Sequence, residues 1–188
     1  SGITFDIGGY PSSGYSIDVR NSSPLFRDCL FTSSSRWSGQ APINLEYSSP
    51  SFENCQANGF QNGIFLIVHS SATFNHCFFF DNLLDYDAPV YAPVATIKYS
   101  STVFQDCQIE RNHTLNFGIG AIYSKDSTII LDSCIFQDNS GHSGGARVVS
   151  SFRCHFIIHN SFSPTFLTEK SINKLAILPL CLFRHTVL

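Results

Sequence analysis

Ser22-Ser23-Pro24-Leu25-Phe26-Arg27-Asp28-Cys29-Leu30-Phe31 is the stretch that decides the architecture. It reads as two hydroxyl residues, two spacers, Phe, two spacers, Cys, one spacer and an apolar residue. The same phrase returns as Ser48-Ser49 with Phe52 and Cys55, as Ser70-Ser71 with Phe74 and Cys77, and as Ser100-Ser101 with Phe104 and Cys107. A fifth copy, Ser127-Thr128 with Leu131 and Cys134, replaces Phe by Leu. Successive copies are 26, 22, 30 and 27 residues apart. Helical repeats such as tetratricopeptide or ankyrin are longer, about 33–34 residues, and rich in helix formers. Here short alternating stretches, Ile17/Val19, Ile43/Leu45, Phe65/Ile67 and Ala95/Ile97, precede each hydroxyl pair. Two or three short strands per repeat, separated by turns, predict a coil of a parallel β-solenoid.

In such a coil equivalent residues stack at the strand spacing of about 4.8 Å. The register therefore predicts an interior ladder of Phe26, Phe52, Phe74, Phe104 and Leu131. It predicts a second of Cys29, Cys55, Cys77, Cys107 and Cys134, and a third of Phe31, Ala57, Phe79, Ile109 and Phe136. Asn82, Asn112 and Asn139 each follow a ladder Cys by five residues, which suits an amide column at a bend. No single coil can bury its own apolar face, so stability must come from stacked neighbours.

Composition agrees. The 188 residues are 14% aromatic, with 18 Phe, and only 13% charged, too apolar for a disordered chain. A net charge of −3 gives no reason to expect nucleic acid as a partner. No methionine is present, so the chain is expected to be processed or part of a longer one. The seven Cys show no C-x-x-C and no zinc spacing, and buried free Cys behaves as a small apolar residue.

Phe79-Phe80-Asp81-Asn82, Phe136-Gln137-Asp138-Asn139, Gly120-Ala121-Ile122 and Gly144-Gly145-Ala146 carry a family resemblance. With the Phe-x-x-Cys-x-apolar units, residues 14–150 resemble the right-handed parallel β-helix repeats of polymorphic outer-membrane proteins. Similar repeats occur in large surface proteins of protists. The resemblance implies a pectin-lyase-like fold: all-β, a right-handed parallel β-helix of about six coils over residues 1–150. Residues 151–188 are expected to form a divergent last coil, cap or tail, with a short capping helix over 168–178. The phrase breaks after Ser150-Ser151, where Cys154 follows too soon.

Candidate chemistry is sparse. Gly141-His142-Ser143-Gly144-Gly145 fits G-x-S-x-G, but in a Gly-rich turn rather than the strand–turn–helix the nucleophile elbow needs. His155 and His159 lack the Glu of H-E-x-x-H and have strand-like flanks. Pectate-lyase-like enzymes, which share the fold, hold Ca²⁺ with a stripe of acids. The residues before each ladder Cys, Asp28, Asn54, His76, Asp106 and Ser133, form such a polar stripe. Asp28 and Asp106 lie three coils apart, about 14 Å, too far to share an ion. Asp85 and Asp87 are the closer Ca²⁺ candidates. Asn21-Ser22-Ser23 and Asn112-His113-Thr114 are glycosylation sequons, making Asn21 and Asn112 candidate acceptors.

These readings add up to a non-catalytic extracellular or cell-surface module with an adhesive or structural role and no cofactor. Expected partners are further β-helix coils of the same chain, and glycans or host and cell-surface proteins met by the irregular loops 32–41, 81–93 and 112–119. The competing expectations are a polysaccharide-active β-helix enzyme and an inert fragment of a larger repeat protein.

Overall fold

The chain winds through three short parallel strands per coil in a computed structural model that describes residues 3–7, 15–33, 41–85, 92–115, 120–141, 149–152, 155–159 and 183–185. After β1 (Thr4–Asp6), one coil holds β2 (Ile17–Arg20), β3 (Leu25–Arg27) and β4 (Leu30–Thr32). The next holds β5 (Ile43–Glu46), β6 (Ser51–Glu53) and β7 (Gln56–Asn58). Then come β8 (Phe65–Val68), β9 (Thr73–Asn75), β10 (Phe78–Phe80) and the short β11 (Leu83–Leu84). The following coil repeats this with β12 (Ala95–Lys98), β13 (Ser101–Gln105), β14 (Gln108–Glu110) and β15 (His113–Thr114). Next are β16 (Ile122–Lys125), β17 (Thr128–Asp132) and β18 (Ile135–Gln137), then β19 (Val149–Phe152), β20 (His155–His159) and β21 (Phe183–His185).

Equivalent strands pair side by side into three sheets, β1-β4-β7-β10-β14-β18, β2-β5-β8-β12-β16-β19 and β3-β6-β9-β13-β17-β20-β21. All three are parallel, and β11 with β15 adds a two-stranded strip. Four coils over 41–141 enclose a continuous core. The coil over 15–33 is more open, with Phe26 only half-buried and Leu25 50% exposed, and the last is described only in part. Among the described residues the number of closed coils is thus lower than the six expected.

The register puts Phe26, Phe52, Phe74, Phe104 and Leu131 in one column and Phe31, Ala57, Phe79, Ile109 and Phe136 in another. Phe26, Phe52, Phe74 and Phe104 stack nearly parallel, 4.8, 4.9 and 4.8 Å apart. Phe79 meets Phe74 edge-on at 5.5 Å. Each fully buried ring contributes roughly 1.5–3 kcal/mol, so these columns dominate the stability.

The five described cysteines are free and buried. Cys55, Cys77, Cys107 and Cys134 each donate towards the carbonyl of the column Phe one coil below, at 3.3 to 3.5 Å. The hydrogen bond with the Cys77 thiol, and then burial, push the Cys55 thiol up. Hydrogen bonds with Cys134 and Cys77, and then burial, do the same to Cys107. The first Ser of each pair forms a further column: Ser48, Ser70 and Ser100 N–H groups donate to Ser70, Ser100 and Ser127 Oγ at 3.0 to 3.1 Å.

The parallel register continues past residue 150. Ser150 and Ser151 pair with Tyr123 and Ser124 inside β19, and Thr128 pairs with His155. Ser150-Ser151 is therefore not a sixth copy of the hydroxyl pair, which explains why Cys154 follows it too soon. Ile158 pairs with Leu131 of the Phe column. The stretch 168–178, expected as a capping helix, lies outside the described residues.

Candidate functional site

A coil with three strands needs sharp bends between them, and the bends decide what reaches the surface. The thirteen described non-glycine residues with positive φ all stand at these bends. A left-handed residue with a Cβ costs roughly 1–2 kcal/mol, least for Asn and Asp. Between the β3-type and β4-type strands the residues are Asp28, Asn54, His76, Asp106 and Ser133, which is why the position before each ladder Cys is polar. This column is exposed along most of its length. Asn54 Nδ2 donates to Asp28 Oδ1 at 3.2 Å, and His76 Nε2 lies 3.8 Å from Asp106 Oδ2. The third bend carries Asp81, Arg111 and Asp138.

Between the β2-type and β3-type strands the column is Asn21, Tyr47, His69, Tyr99 and Asp126. Three aromatic rings thus stand at φ 48°, 49° and 52°, where a small polar residue would be easier to accommodate. They stack nearly parallel, Tyr47 on His69 at 5.1 Å and 4°, and His69 on Tyr99 at 5.1 Å and 12°. Tyr47 is 57% and Tyr99 48% exposed. A shallow open groove runs beside them, lined also by Ser71, Ser101 and Asp126. His69 has both ring faces covered by its neighbours, Tyr47 and Tyr99 one each, so two tyrosines and a histidine line this bend at coil spacing. The second hydroxyls Ser49, Ser71 and Ser101 are exposed, whereas the first hydroxyls of the same copies, Ser48, Ser70 and Ser100, are buried.

Interior amides form the opposite arrangement. Asn112 Nδ2 donates to Phe79 O at 3.0 Å and to Asn139 Oδ1 at 2.9 Å. Its Oδ1 accepts from Asn82 N at 3.2 Å and Asn82 Nδ2 at 2.9 Å. Asn82 Nδ2 also donates to Ala57 O, and Asn139 Nδ2 to Ile109 O.

A family model for the right-handed beta helix region matches residues 7–163. The chain belongs to the right-handed β-helix family. A search of curated proteins finds no match.

The β-helix brings together some of the candidate residues and separates others. Asn112, expected both in the amide column and as a candidate glycan acceptor, is fully buried with both amide hydrogens donated, to Phe79 O and Asn139 Oδ1. Asn21 is exposed. Asp85 ends the β11 segment with its N–H donating to Gln61 O at 3.1 Å, while Asp87 lies outside the described residues. Among the described residues no three His, Cys, Asp or Glu side chains are grouped as metal ligands. His155 and His159 begin and end the strand β20, about 13 Å apart along it. Residues 142–145 of the G-x-S-x-G stretch, and residues 34–40, 86–91 and 116–119 of the loops 32–41, 81–93 and 112–119, lie outside the described residues. The Tyr47–His69–Tyr99 ladder was missed by the motif reading. Its signal was present, since each ring immediately precedes a hydroxyl pair in phase with the repeat.

Proposed function

We propose that this β-helix is a non-catalytic module of an extracellular or cell-surface protein, in which the coil stack is a rigid scaffold and one bend is an adhesive surface. The observation that carries the reading is the exposed Tyr47–His69–Tyr99 ladder. The interior columns need no aromatic residue at that bend, and the backbone there disfavours one. Exposed rings edged by hydroxyls suit partners that combine hydroxyl groups with apolar patches, namely glycans or the surface proteins of other cells. Further coils of the same chain are the natural partners for the open coil ends, where edge strands invite strand addition.

The test is binding of the purified protein to a printed glycan array and to intact cells, alongside the double variant Tyr47→Asp, Tyr99→Asp. The expected result is retention of at least one glycan or cell type without turnover, lost in the variant. Depolymerisation of polygalacturonate in the presence of Ca²⁺, abolished by Asp85→Ala, would instead identify a polysaccharide-active enzyme. Binding unchanged in the double variant would remove the ladder from the function.

A further inference from the structure

We infer that Asn21 is the site of an N-linked glycan on this chain, and that the glycan packs on Tyr47 at the end of the aromatic ladder. The inference rests on the proposed extracellular location for its occurrence in nature. Two sequons of equal standing in the sequence differ completely in the fold. Asn112 is 0% exposed and Thr114 4% exposed. A glycosylated Nδ2 keeps a single hydrogen, so Asn112 would lose either Phe79 O or Asn139 Oδ1, and a sugar would have to enter the core. At the other sequon Asn21, Ser22 and Ser23 are all exposed. The backbone there is fixed from below the side chain, since the Asn21 N–H donates to Glu46 O at 3.2 Å. The acceptor amide therefore stands on an ordered bend.

The position of Asn21 supplies the second part. Arg20 pairs with Glu46, which sets Asn21 one coil before Tyr47 in the same positive-φ column. His69 covers one face of the Tyr47 ring at 5.1 Å. The opposite face is turned towards the Asn21 level, and Tyr47 is 57% exposed. A pyranose attached to Asn21 has an apolar C–H face of the right size to lie there, continuing the stack by one more ring. The reaction is transfer from a lipid-pyrophosphate oligosaccharide. The sugar C1–O bond to phosphate breaks, the C1–Nδ2 bond forms, Nδ2 gives up a proton and the lipid pyrophosphate leaves.

The experiment is expression behind a secretion leader in cultured animal cells, followed by peptide mapping with glycosidase release in heavy-oxygen water. Both the secreted protein and protease-resistant protein from microsomes are mapped. The expected result is full label at Asn21 and none at Asn112, with a single glycan lost in Asn21→Gln and in Ser23→Ala while the folded yield is unchanged. Folded protein bearing no glycan at Asn21, or one at Asn112, overturns the site. The N-acetyl methyl of the first sugar should show an upfield ring-current shift that disappears in Tyr47→Asp, and an unshifted methyl in the wild type overturns the packing. Because the leader is imposed, occupancy is independent of native location. Failure of the array binding, measured on enzymatically deglycosylated protein, would leave this result standing.

Discussion

The columns Asn82–Asn112–Asn139 and Tyr47–His69–Tyr99 follow one plan, a residue per coil at a bend, stacked on its equivalents. They answer to different demands. Each interior amide closes bonds that the backbone cannot otherwise make: Asn82 bonds Ala57 O and Asn112, and Asn112 bonds Phe79 O and Asn139. The ring ladder closes no such bond in the core and stands where the left-handed backbone would favour Asn or Asp. The coil dictates the first column and merely tolerates the second, so residue identity at the second is available for recognition.

The sharpest way to break this contrast is Asn112→Leu. It leaves Phe79 O and the Asn82 N–H without this partner and removes one of the two bonds of the Asn82 side-chain amide, while Asn139 Oδ1 keeps only the backbone N–H of residue 112. Buried unsatisfied groups cost roughly 1–3 kcal/mol each, so a loss of at least about 3 kcal/mol is expected. Urea unfolding and soluble yield measure it, and a loss below about 1 kcal/mol would remove the amide column from the structural side. Cys77→Ala gives the intermediate case. The thiol fills a buried rung and donates weakly to Phe52 O. Its loss should cost about 0.5–1.5 kcal/mol, the range for deleting one small buried group.

The double variant Tyr47→Asp, Tyr99→Asp should change stability by less than about 0.5 kcal/mol, as exposed positions usually do. Two terms oppose each other there. Ring contacts worth at most about 0.5–1.5 kcal/mol each are lost, while the left-handed cost falls because Asp suits that backbone. The column itself uses Asp at position 126. Unfolding midpoints within error of wild type, together with lost binding, separate recognition from folding. A large destabilisation would make the rings part of the scaffold.

The scaffold was legible because burial repeats with the coil. Phe26, Phe52, Phe74 and Phe104 recur at fixed distance from their Cys, and a side chain pointing inward has few acceptable identities. Direction at bends was not legible. Asn112 and Asn21 share one tripeptide signal, yet one points into the core and the other into solvent, and only the paired register distinguishes them. Ser150-Ser151 misled for a related reason: two serines in a strand and two at a bend spell the same word. The aromatic ladder is in phase with the phrase, but its meaning depends on positive φ, which bulky residues do not announce.

One bend carries both kinds of column back to back, and it offers the finest test. Asp81 and Arg111 directly precede Asn82 and Asn112 and point outward where those point inward. Arg111 Nε donates to Asp81 Oδ1 at 2.8 Å, with the side chains 45% and 54% exposed. That hydrogen bond holds the Asp81 carboxyl below the ordinary carboxylate range. A folded-state value lower than the unfolded one means the pair stabilises above the unfolded value, about 3.9, and loses this as pH falls through the folded one. Solvent screening keeps the contribution small for a pair this exposed. Asp81→Asn should therefore lower the thermal midpoint slightly at pH 7, with the difference from wild type shrinking below about pH 4. It should also shrink in 1 M salt, where the screening length is about 3 Å. The same scans on Asn112→Leu should show a deficit that neither acid nor salt removes. An interior amide bond has no charge to titrate or screen, so a deficit that did respond would place the strength of this bend on its outer side.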